Sequence, residues 1–347
     1  MSYGQKVYVS YFPNNSMALD YADLESPFEW YRAAKKHGVW DPEEIDIEQD
    51  KEDWETMFED NEKEQFMKIC SLFYEGEESV TRTLAPYPMA VGALEDASFD
   101  TLQEEMYLTT HLWEESKHVD FFSRYFEEVF GTQDTESGYF DEGFWNPELE
   151  SYLIDDLDKV SGELRDAVGR AEAAKSQGDE DEIERTQREL RFKLGDATMH
   201  YMGIVESELA EVGYSGLGQM LGNKEALPGF QEGMEKTQQD EARHINNGRW
   251  LMKRLAEEEP DIVSEVYEPH IRRFEEEVAP PTIQNIYVPN PLDVDLPTLV
   301  DESLHYIESF YETIGEEKFS DKFRKDYIDA SDSEVQVRIM ERVQQAA

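Results

Sequence analysis

Two copies of a short pattern place a carboxylate and an imidazole at a spacing suited to metal binding. Glu-x-x-His occurs at Glu115–His118 and again at Glu241–His244. Because residues three apart share one face of a helix, each copy can direct both side chains at one ion. Two such turns and a Glu from each of two further helices form the ligand set of a dinuclear carboxylate site. This set of hard oxygen ligands with one imidazole per ion suits iron or manganese better than zinc.

The two further carboxylates are sought among acidic residues that lie in apolar rows. Glu77 lies in the helical row of Phe73 and Val80, and the segment that follows residue 200 offers both Glu206 and Glu208. The periodicity of that segment does not choose between these two. An ionised group in a helical core costs several kcal/mol unless it is paired or bound to metal. Metal binding explains why several helices carry such groups on their apolar faces.

The helices that position these residues are predicted from apolar periodicity. A short helical stretch is expected near 28–36, and longer helices near 60–85, 100–130, 148–176, 179–213, 228–258 and 261–277. Gly131, Gly138, Gly178 and the glycine-rich stretch 213–222 are interpreted as breaks between them, and 173–181 as a solvent-facing polar turn. The proline-rich segment 279–298 is expected to be extended, with helix resuming near 299–314. Convincing strands are absent, so the predicted fold class is all-α.

Other histidines are assigned to structure. A third Glu-x-x-His, at Glu302–His305, follows the proline-rich segment and has no matching fourth helix. Four more histidines have no ligand partner at this spacing and are interpreted as core or surface packing residues: His37, His111, His200 and His270.

Composition indicates one large helical domain with a sizeable core, since 39% of the 347 residues are hydrophobic and 12% are aromatic. We divide residues 1–347 into an N-terminal arm at 1–50, a metal-binding bundle at 51–278 and a C-terminal extension at 279–347.

Cys70 is the single cysteine, which excludes an internal disulfide and fits a reducing compartment. No apolar run approaches the roughly 20 residues that cross a bilayer, and no signal peptide is recognisable. A cytoplasmic protein without membrane insertion is expected.

The chain is strongly acidic. It carries 80 acidic and 32 basic residues, a formal net charge of −48. Such a surface repels nucleic acid and anionic lipid, so neither is an expected partner. The acidic residues are spread along the whole chain, which is typical of the salt-adapted surfaces of halophiles. An acidic binding function is the alternative interpretation.

These motifs resemble the ligand-binding oxidases related to the small subunit of class I ribonucleotide reductase, within the ferritin-like superfamily. The similar segments are Trp40–Asp46, Gly76–Thr81, Glu105–His118, Tyr201–Glu206 with Gly213–Tyr214, and Leu227–His244. The resemblance implies a ferritin-like four-helix core with additional helices, favours Glu206 over Glu208 as the ligand, and implies a homodimer.

The resemblance also implies a chemistry. Members of that family hold a mixed manganese–iron centre, with a di-iron centre also possible, react with dioxygen and bind a long-chain fatty acid beside the metals. They form a tyrosine–valine ether crosslink, which here would join Val80 and Tyr201. The resemblance also places Trp40, Asp240 and Tyr214 around the ligands. Trp40, His118 and Asp240 are either an electron path or, as we prefer, a set in which Asp240 orients the imidazole.

Three functions compete on these residues. The first is the oxidase; the second is a ribonucleotide reductase small (beta) subunit that generates a radical for a large subunit; the third is metal storage. Phe122 stands where radical-storing subunits usually carry a tyrosine, and the last tyrosine is Tyr327, so 331–347 lacks the tyrosine of a relay tail. Ala210, four residues past Glu206, leaves space for an acyl chain. A storage protein would need neither the valine–tyrosine pair nor Trp40.

Overall fold

The computed structural model describes residues 26–131 and 147–314, and helices account for most of them. No strand forms within these two ranges. None of the helices in them is both long and apolar enough to span a bilayer. The Tyr327 and 331–347 features lie outside the described residues, as does Gly138.

Thirteen α-helices follow one another along the described chain. They are α1 (Pro27–His37), α2 (Glu48–Thr56), α3 (Asp60–Thr83), α4 (Pro86–Ala93), α5 (Thr101–Glu128), α6 (Pro147–Glu150), α7 (Asp156–Gln177), α8 (Glu180–Thr198), α9 (Glu211–Lys224), α10 (Pro228–Glu258), α11 (Glu268–Arg273), α12 (Ala279–Tyr287) and α13 (Leu296–Ile314). A 3₁₀ turn covers Pro42–Glu44, and π-helical segments cover Ser151–Asp155, Met199–Ala210, Val263–Tyr267 and Phe274–Val278.

The long helices of the site begin where the sequence offers capping residues. At α3, Glu59 and Glu62 form a reciprocal capping box. At α5, the Asp100 side chain accepts a hydrogen bond from the backbone N–H of Gln103 at 3.2 Å. Pro228 opens α10 at a position whose N–H would have no helical partner. These caps satisfy N–H groups that a helix leaves unpaired in its first turn, so they set where each helix begins.

Helix continues through the glycine-rich stretch that was predicted to be a break. Residues 213–222 lie inside α9, so that prediction is wrong. The glycines permit close packing: a Cβ on Gly213 would lie 2.9 Å from the Phe73 ring, and one on Gly216 would lie 2.2 Å from the Tyr287 hydroxyl. Here glycine reflects the approach of neighbouring aromatic side chains and not the end of a helix.

The proline-rich segment is also more helical than predicted. Pro280 and Pro281 lie in the first turn of α12, where a missing N–H and a fixed φ are tolerated. Only 288–295, between α12 and α13, is non-helical, so the extended prediction is wrong for Ala279–Tyr287. A polar turn is present within the predicted 173–181 but is shorter: α7 continues to Gln177 and α8 begins at Glu180, so only Gly178, at φ 71°, and Asp179 separate them, and residues 175–181 are exposed.

Candidate dinuclear metal centre

The predicted ligands converge from α3, α5, the Met199–Ala210 π-helix and α10. They form two groups that share one carboxylate, and within each group the ligand atoms all lie within 4.8 Å of one another. The first group is Glu77, Glu115, His118 and Glu241; the second is His111, Glu115, Glu206 and His244. All seven side chains are buried. The structure therefore brings together the six residues predicted from the sequence and adds His111.

Two carboxylates lie between the imidazoles of the two groups. Glu115 directs Oε1 at Nδ1 of His244 at 2.8 Å and Oε2 at Nδ1 of His118 at 3.6 Å. Glu241 lies 3.2 Å from Nδ1 of His118 through Oε1 and 3.3 Å from Nδ1 of His244 through Oε2. Each carboxylate thus directs one oxygen at His118 and the other at His244, which is the arrangement needed to bridge two ions.

A carboxylate lies behind each of these imidazoles. Nε2 of His118 is 3.2 Å from Oδ2 of Asp240, which also accepts a hydrogen bond from Trp40 Nε1 at 2.9 Å. Nε2 of His244 is 3.0 Å from Oε2 of Glu114. A carboxylate at Nε2 favours a proton on that nitrogen and leaves Nδ1 free to bind an ion. The orienting position proposed for Asp240 is thus matched by its geometry, and Glu114 is its counterpart that sequence reasoning missed.

Buried cations neutralise these outer carboxylates. Arg243, fully buried, donates to both Glu114 and Asp240. Lys117 donates to Asp240 Oδ2 at 2.9 Å. Burial opposes ionisation of Asp240, but Arg243, His118 and Lys117 hold its pKa well below the usual range. Asp240 is therefore held in place as a charged group, and Arg243 fixes the position of Glu114.

The inner carboxylates are different, because the ion pairs they form are with imidazoles. Glu77 pairs with His118, Glu206 with His111 and His244, and Glu115 with all three histidines. Oε2 of Glu206 is buried and lacks a hydrogen-bond partner among the described residues. Four carboxylates in a buried space would be balanced by two divalent cations. The donor set and the partnerless oxygen both fit a dinuclear metal centre.

The pKa values of the candidate ligands indicate which protons an entering ion would displace. Burial lowers the pKa of His118, but Glu77 and the other carboxylates around it raise that pKa well above 6.5. The pKa of His244 is likewise raised, against burial, by groups that include Glu115 and Glu241. Burial raises the pKa of Glu77 above 4.5. The centre therefore carries protons at neutral pH, and a bound metal releases them.

The π-helix places Glu206, and not Glu208, beside the other candidate ligands. A π-helix bonds residue i to i+5, so Tyr201 lies about one turn before Glu206, on the same side. The Tyr201 hydroxyl donates to Oε1 of Glu115 at 2.9 Å. Glu208 instead accepts a hydrogen bond from Ser303, away from both ligand groups, and burial next to Glu275 raises its pKa. The choice that periodicity left open falls on Glu206.

A partly open pocket adjoins the candidate ligands. Glu77, Glu115, Glu206 and Glu241 lie on its polar side. Its other walls are apolar or aromatic and include Leu72, Phe73, Val80, Leu153, Tyr201, Val205, Leu209 and Ala210. Val80, Tyr201 and Ala210, all singled out from the sequence, therefore line one space beside the candidate metals.

The remaining predicted residues lie farther from the ligand groups. Tyr214 is fully buried with its ring 4.9 Å from that of Phe73, and its hydroxyl has no hydrogen-bond partner among the described residues. Phe122 stacks on Phe73 with ring centroids 5.8 Å apart. His305 is about half exposed, and its Nδ1 lies 2.7 Å from the Asp301 carbonyl, in agreement with the structural assignment of the third Glu-x-x-His copy.

His111, which the sequence assigns to packing, lies fully buried in the second ligand group. Its Nε2 lies 3.2 Å from Oε1 of both Glu115 and Glu206. In the Glu-x-x-His pattern the glutamate lies three residues before the histidine, whereas His111 lies four residues before Glu115. The i, i+4 relation to Glu115 is the signal that could have found it.

Comparisons with known proteins agree with this architecture. The family model described as ribonucleotide reductase, small chain, matches residues 20–153. The R2-like ligand-binding oxidase from Sulfolobus acidocaldarius superposes with a TM-score of 0.64 at 22% identity, covering 86% of this chain and 93% of that one. A variant of an R2-like ligand-binding oxidase with anaerobically reconstituted Mn/Fe cofactor gives 0.61 at 24% identity over 86% and 96%. An aerobically reconstituted Mn/Fe form of such an oxidase gives 0.59 at 24% over 86% and 94%. The predicted all-α, ferritin-like fold of the ribonucleotide reductase small-subunit type is confirmed.

Proposed function

We propose that this protein is an oxygen-activating oxidase whose dinuclear manganese–iron centre is held by Glu77, Glu115, His118, Glu206, Glu241 and His244. The observation that carries the proposal is the pair of buried ligand groups joined by two carboxylates, beside a largely apolar pocket. When bound, such a metal pair supplies the electrons for reduction of dioxygen. A mixed manganese–iron pair is supported by the Mn/Fe cofactors named for the similar solved structures, and the same ligands suit a di-iron pair.

The chain contributes orientation and exclusion of water to this chemistry. Asp240 and Glu114 hold the ligand imidazoles with Nδ1 towards the centre. Arg243 donates to both carboxylates and Lys117 donates to Asp240, so the two acceptors are held in place behind the imidazoles. Every predicted ligand is at most 7% exposed, which limits access of bulk water to the metals.

The organic ligand in this proposal is a long-chain fatty acid or a similar amphiphile. The cavity combines carboxylate ligands, where a metal-bound head group would lie, with an apolar wall that includes Leu72, Leu209 and Ala210. The small side chain of Ala210 leaves this space open one turn beyond Glu206.

Oxygen activation would also join Val80 to Tyr201. In this step the Val80 Cβ–H and Tyr201 O–H bonds break and a Cβ–O bond forms, which is a two-electron oxidation with dioxygen as the oxidant. The product lacks two hydrogen atoms. Both side chains line the same cavity, and the Tyr201 hydroxyl already contacts Glu115.

A ribonucleotide reductase small subunit is the second candidate, because the small-chain family model matches residues 20–153. In such a subunit the centre would generate a radical for a large partner chain. Phe122 argues against a stored tyrosyl radical next to the metals, since its ring stacks on Phe73 and carries no hydroxyl.

Metal analysis and peptide mass spectrometry test the proposal together. We expect close to two transition metals per chain, and a sharp loss of metal in Glu115→Ala. Protein loaded with manganese and iron and exposed to air should yield peptides linked through Val80 and Tyr201, and anaerobic protein should not. Tyr201→Phe should abolish the link and retain the metals, whereas the control Tyr214→Phe should retain both.

Two results would contradict the proposal. Full metal content in a Glu115→Ala/Glu241→Ala double variant would refute the ligand assignment. Unlinked peptides from aerobic, fully metallated protein would refute the crosslinking oxidase and favour the reductase subunit. Anomalous X-ray scattering at the iron and manganese edges would identify the metals.

A further inference from the structure

His111 has more oxygen neighbours than one imidazole nitrogen can bond. Its Nε2 lies 2.8 Å from the Tyr201 hydroxyl oxygen and 3.2 Å from Oε1 of both Glu115 and Glu206. A ring nitrogen offers one proton or one lone pair, so it satisfies a single partner along the ring direction. Atoms about 3 Å apart that converge on one space are, however, the usual arrangement of neighbouring ligands around an ion with bonds of about 2.0–2.2 Å.

The position of His111 on α5 supports the same conclusion. His111, Glu115 and His118 are spaced i, i+4 and i+7, so all three lie on one face of the helix. His111 is fully buried on that face. Helix α5 therefore presents two imidazoles to the site, one on each side of a bridging carboxylate.

The ring of His111 is also aligned with that of a predicted ligand. It stacks on His244 with ring centroids 3.6 Å apart and an interplanar angle of 16°. The ligand atoms of the two histidines lie within 4.8 Å of one another and of the oxygens of Glu115 and Glu206. The two imidazoles therefore face the same space.

We infer that His111 is a seventh protein ligand, which binds one metal through Nε2. This inference rests on the proposed dinuclear centre. One position then has two imidazoles, from His111 and His244, with Glu206 and the bridging carboxylates Glu115 and Glu241. The other has one imidazole and three carboxylates, from His118, Glu77, Glu115 and Glu241. Imidazole suits later first-row ions and carboxylate suits manganese, so the two positions differ in metal preference.

The competing arrangement is a His111 that hydrogen-bonds to Glu206 and does not touch the metal. His111→Gln separates the two, because the glutamine amide can still donate an N–H group but has no imidazole nitrogen to bind an ion. His111→Phe removes both functions and keeps a planar ring. His200→Phe is the matched control: His200 is a buried histidine next to Tyr201, but its Nε2 lies 3.0 Å from the Tyr152 carbonyl, outside both ligand groups.

The test uses Co²⁺ as the probe on the metal-free full-length protein. Each histidine that binds Co²⁺ gives one exchangeable, paramagnetically shifted imidazole N–H signal in the proton NMR spectrum. We expect two equivalents of Co²⁺ and three such signals in the wild type and in His200→Phe. We expect two signals in His111→Phe and His111→Gln, with one equivalent bound at least about tenfold more weakly.

The outcomes separate this inference from the proposed function. A wild type that binds two equivalents of Co²⁺ but shows two imidazole signals overturns the seventh ligand and leaves the dinuclear centre in place. Wild-type signals and affinities in His111→Gln also overturn it. A wild type that does not bind two equivalents overturns the dinuclear centre and this inference with it. If His111→Phe does not fold, the number of imidazole signals in the wild type and the signals and affinities of His111→Gln still test the inference.

Discussion

His244 lies between two acids, with Nε2 3.0 Å from Oε2 of Glu114 and Nδ1 directed at the ligand carboxylates. Glu114 is therefore expected to fix the orientation and tautomer of that ligand. Glu114→Gln should weaken binding of one metal equivalent about 10–100-fold, as loss of such a partner does in other metal sites. Competition with a coloured chelator measures this, and Glu127→Gln, on the exposed side of the same helix, is the control. Equal affinities in Glu114→Gln and the wild type would show that Glu114 does not support the ligand.

Metal affinity should rise with pH. Although burial lowers the pKa values of His118 and His244, the surrounding carboxylates raise both above 6.5 in the metal-free centre. An entering ion must displace these protons, so binding releases more protons at pH 6.5 than at pH 9. Calorimetric titration in buffers of different ionisation enthalpy counts the protons. An affinity that does not change over this range would contradict the assigned protonation.

Glu104 is expected to make the metal-free protein less stable in alkali. Burial raises its pKa to about 8, although Asn247 donates to Oε2 at 2.8 Å. Because the folded state holds this proton and the unfolded state loses it near pH 4.5, the free energy of unfolding falls as pH rises from about 4.5 to 8. Glu104→Gln should reduce this loss by about 2–5 kcal/mol.

Urea unfolding of chelator-treated protein at pH 5.5 and 8.5 measures that difference. Glu127→Gln removes a surface carboxyl from the same helix and should keep the wild-type pH dependence. If Glu104→Gln keeps the wild-type pH dependence of the free energy of unfolding, another group causes the loss of stability. Glu211 is an example, because burial also raises its pKa to about 8.

Salt should stabilise the protein. At a formal net charge of −48, the folded chain repels itself, and added ions screen that repulsion. The Tm is expected to rise steadily from low to molar KCl. Sucrose is the control, because it is uncharged: it stabilises proteins through exclusion from their surface and does not screen charge. A flat or falling Tm in KCl would contradict the salt-adapted interpretation.

Five of the six candidate ligands, all except Glu206, could be predicted from the residues themselves because each one conflicts with its surroundings in the sequence. A carboxylate such as Glu77 or Glu115 within a row of large apolar side chains is costly without a counter-charge, and the Glu-x-x-His spacing supplies the geometry. Glu114 could not be singled out in the same way. In a chain with 80 acidic residues, one more glutamate next to a ligand carries little information.

The other errors have physical causes too. Periodicity alone left the choice between Glu206 and Glu208 open, because α-helical periodicity does not apply inside a π-helix, and only the family resemblance favoured Glu206. His111 was missed because its i, i+4 spacing to Glu115 differs from Glu-x-x-His, and its other partners, Glu206 and Tyr201, are brought close only by the tertiary fold. Gly216 and Pro280 were read as breakers by type, whereas their neighbours in space and their place in the first helical turn decide their effect.

The distribution of ligands over the helices constrains when the centre can assemble during synthesis. Glu241 completes one group and His244 the other, and both lie on α10, which begins at Pro228. A nascent chain that ends before this helix has Glu77, Glu115, His118 and Glu206 but cannot complete either ligand group. On the proposed ligand assignment, metal loading would therefore follow emergence of α10 from the ribosome. Translation arrested before α10 would yield an intermediate unable to hold either ion with its full set of ligands.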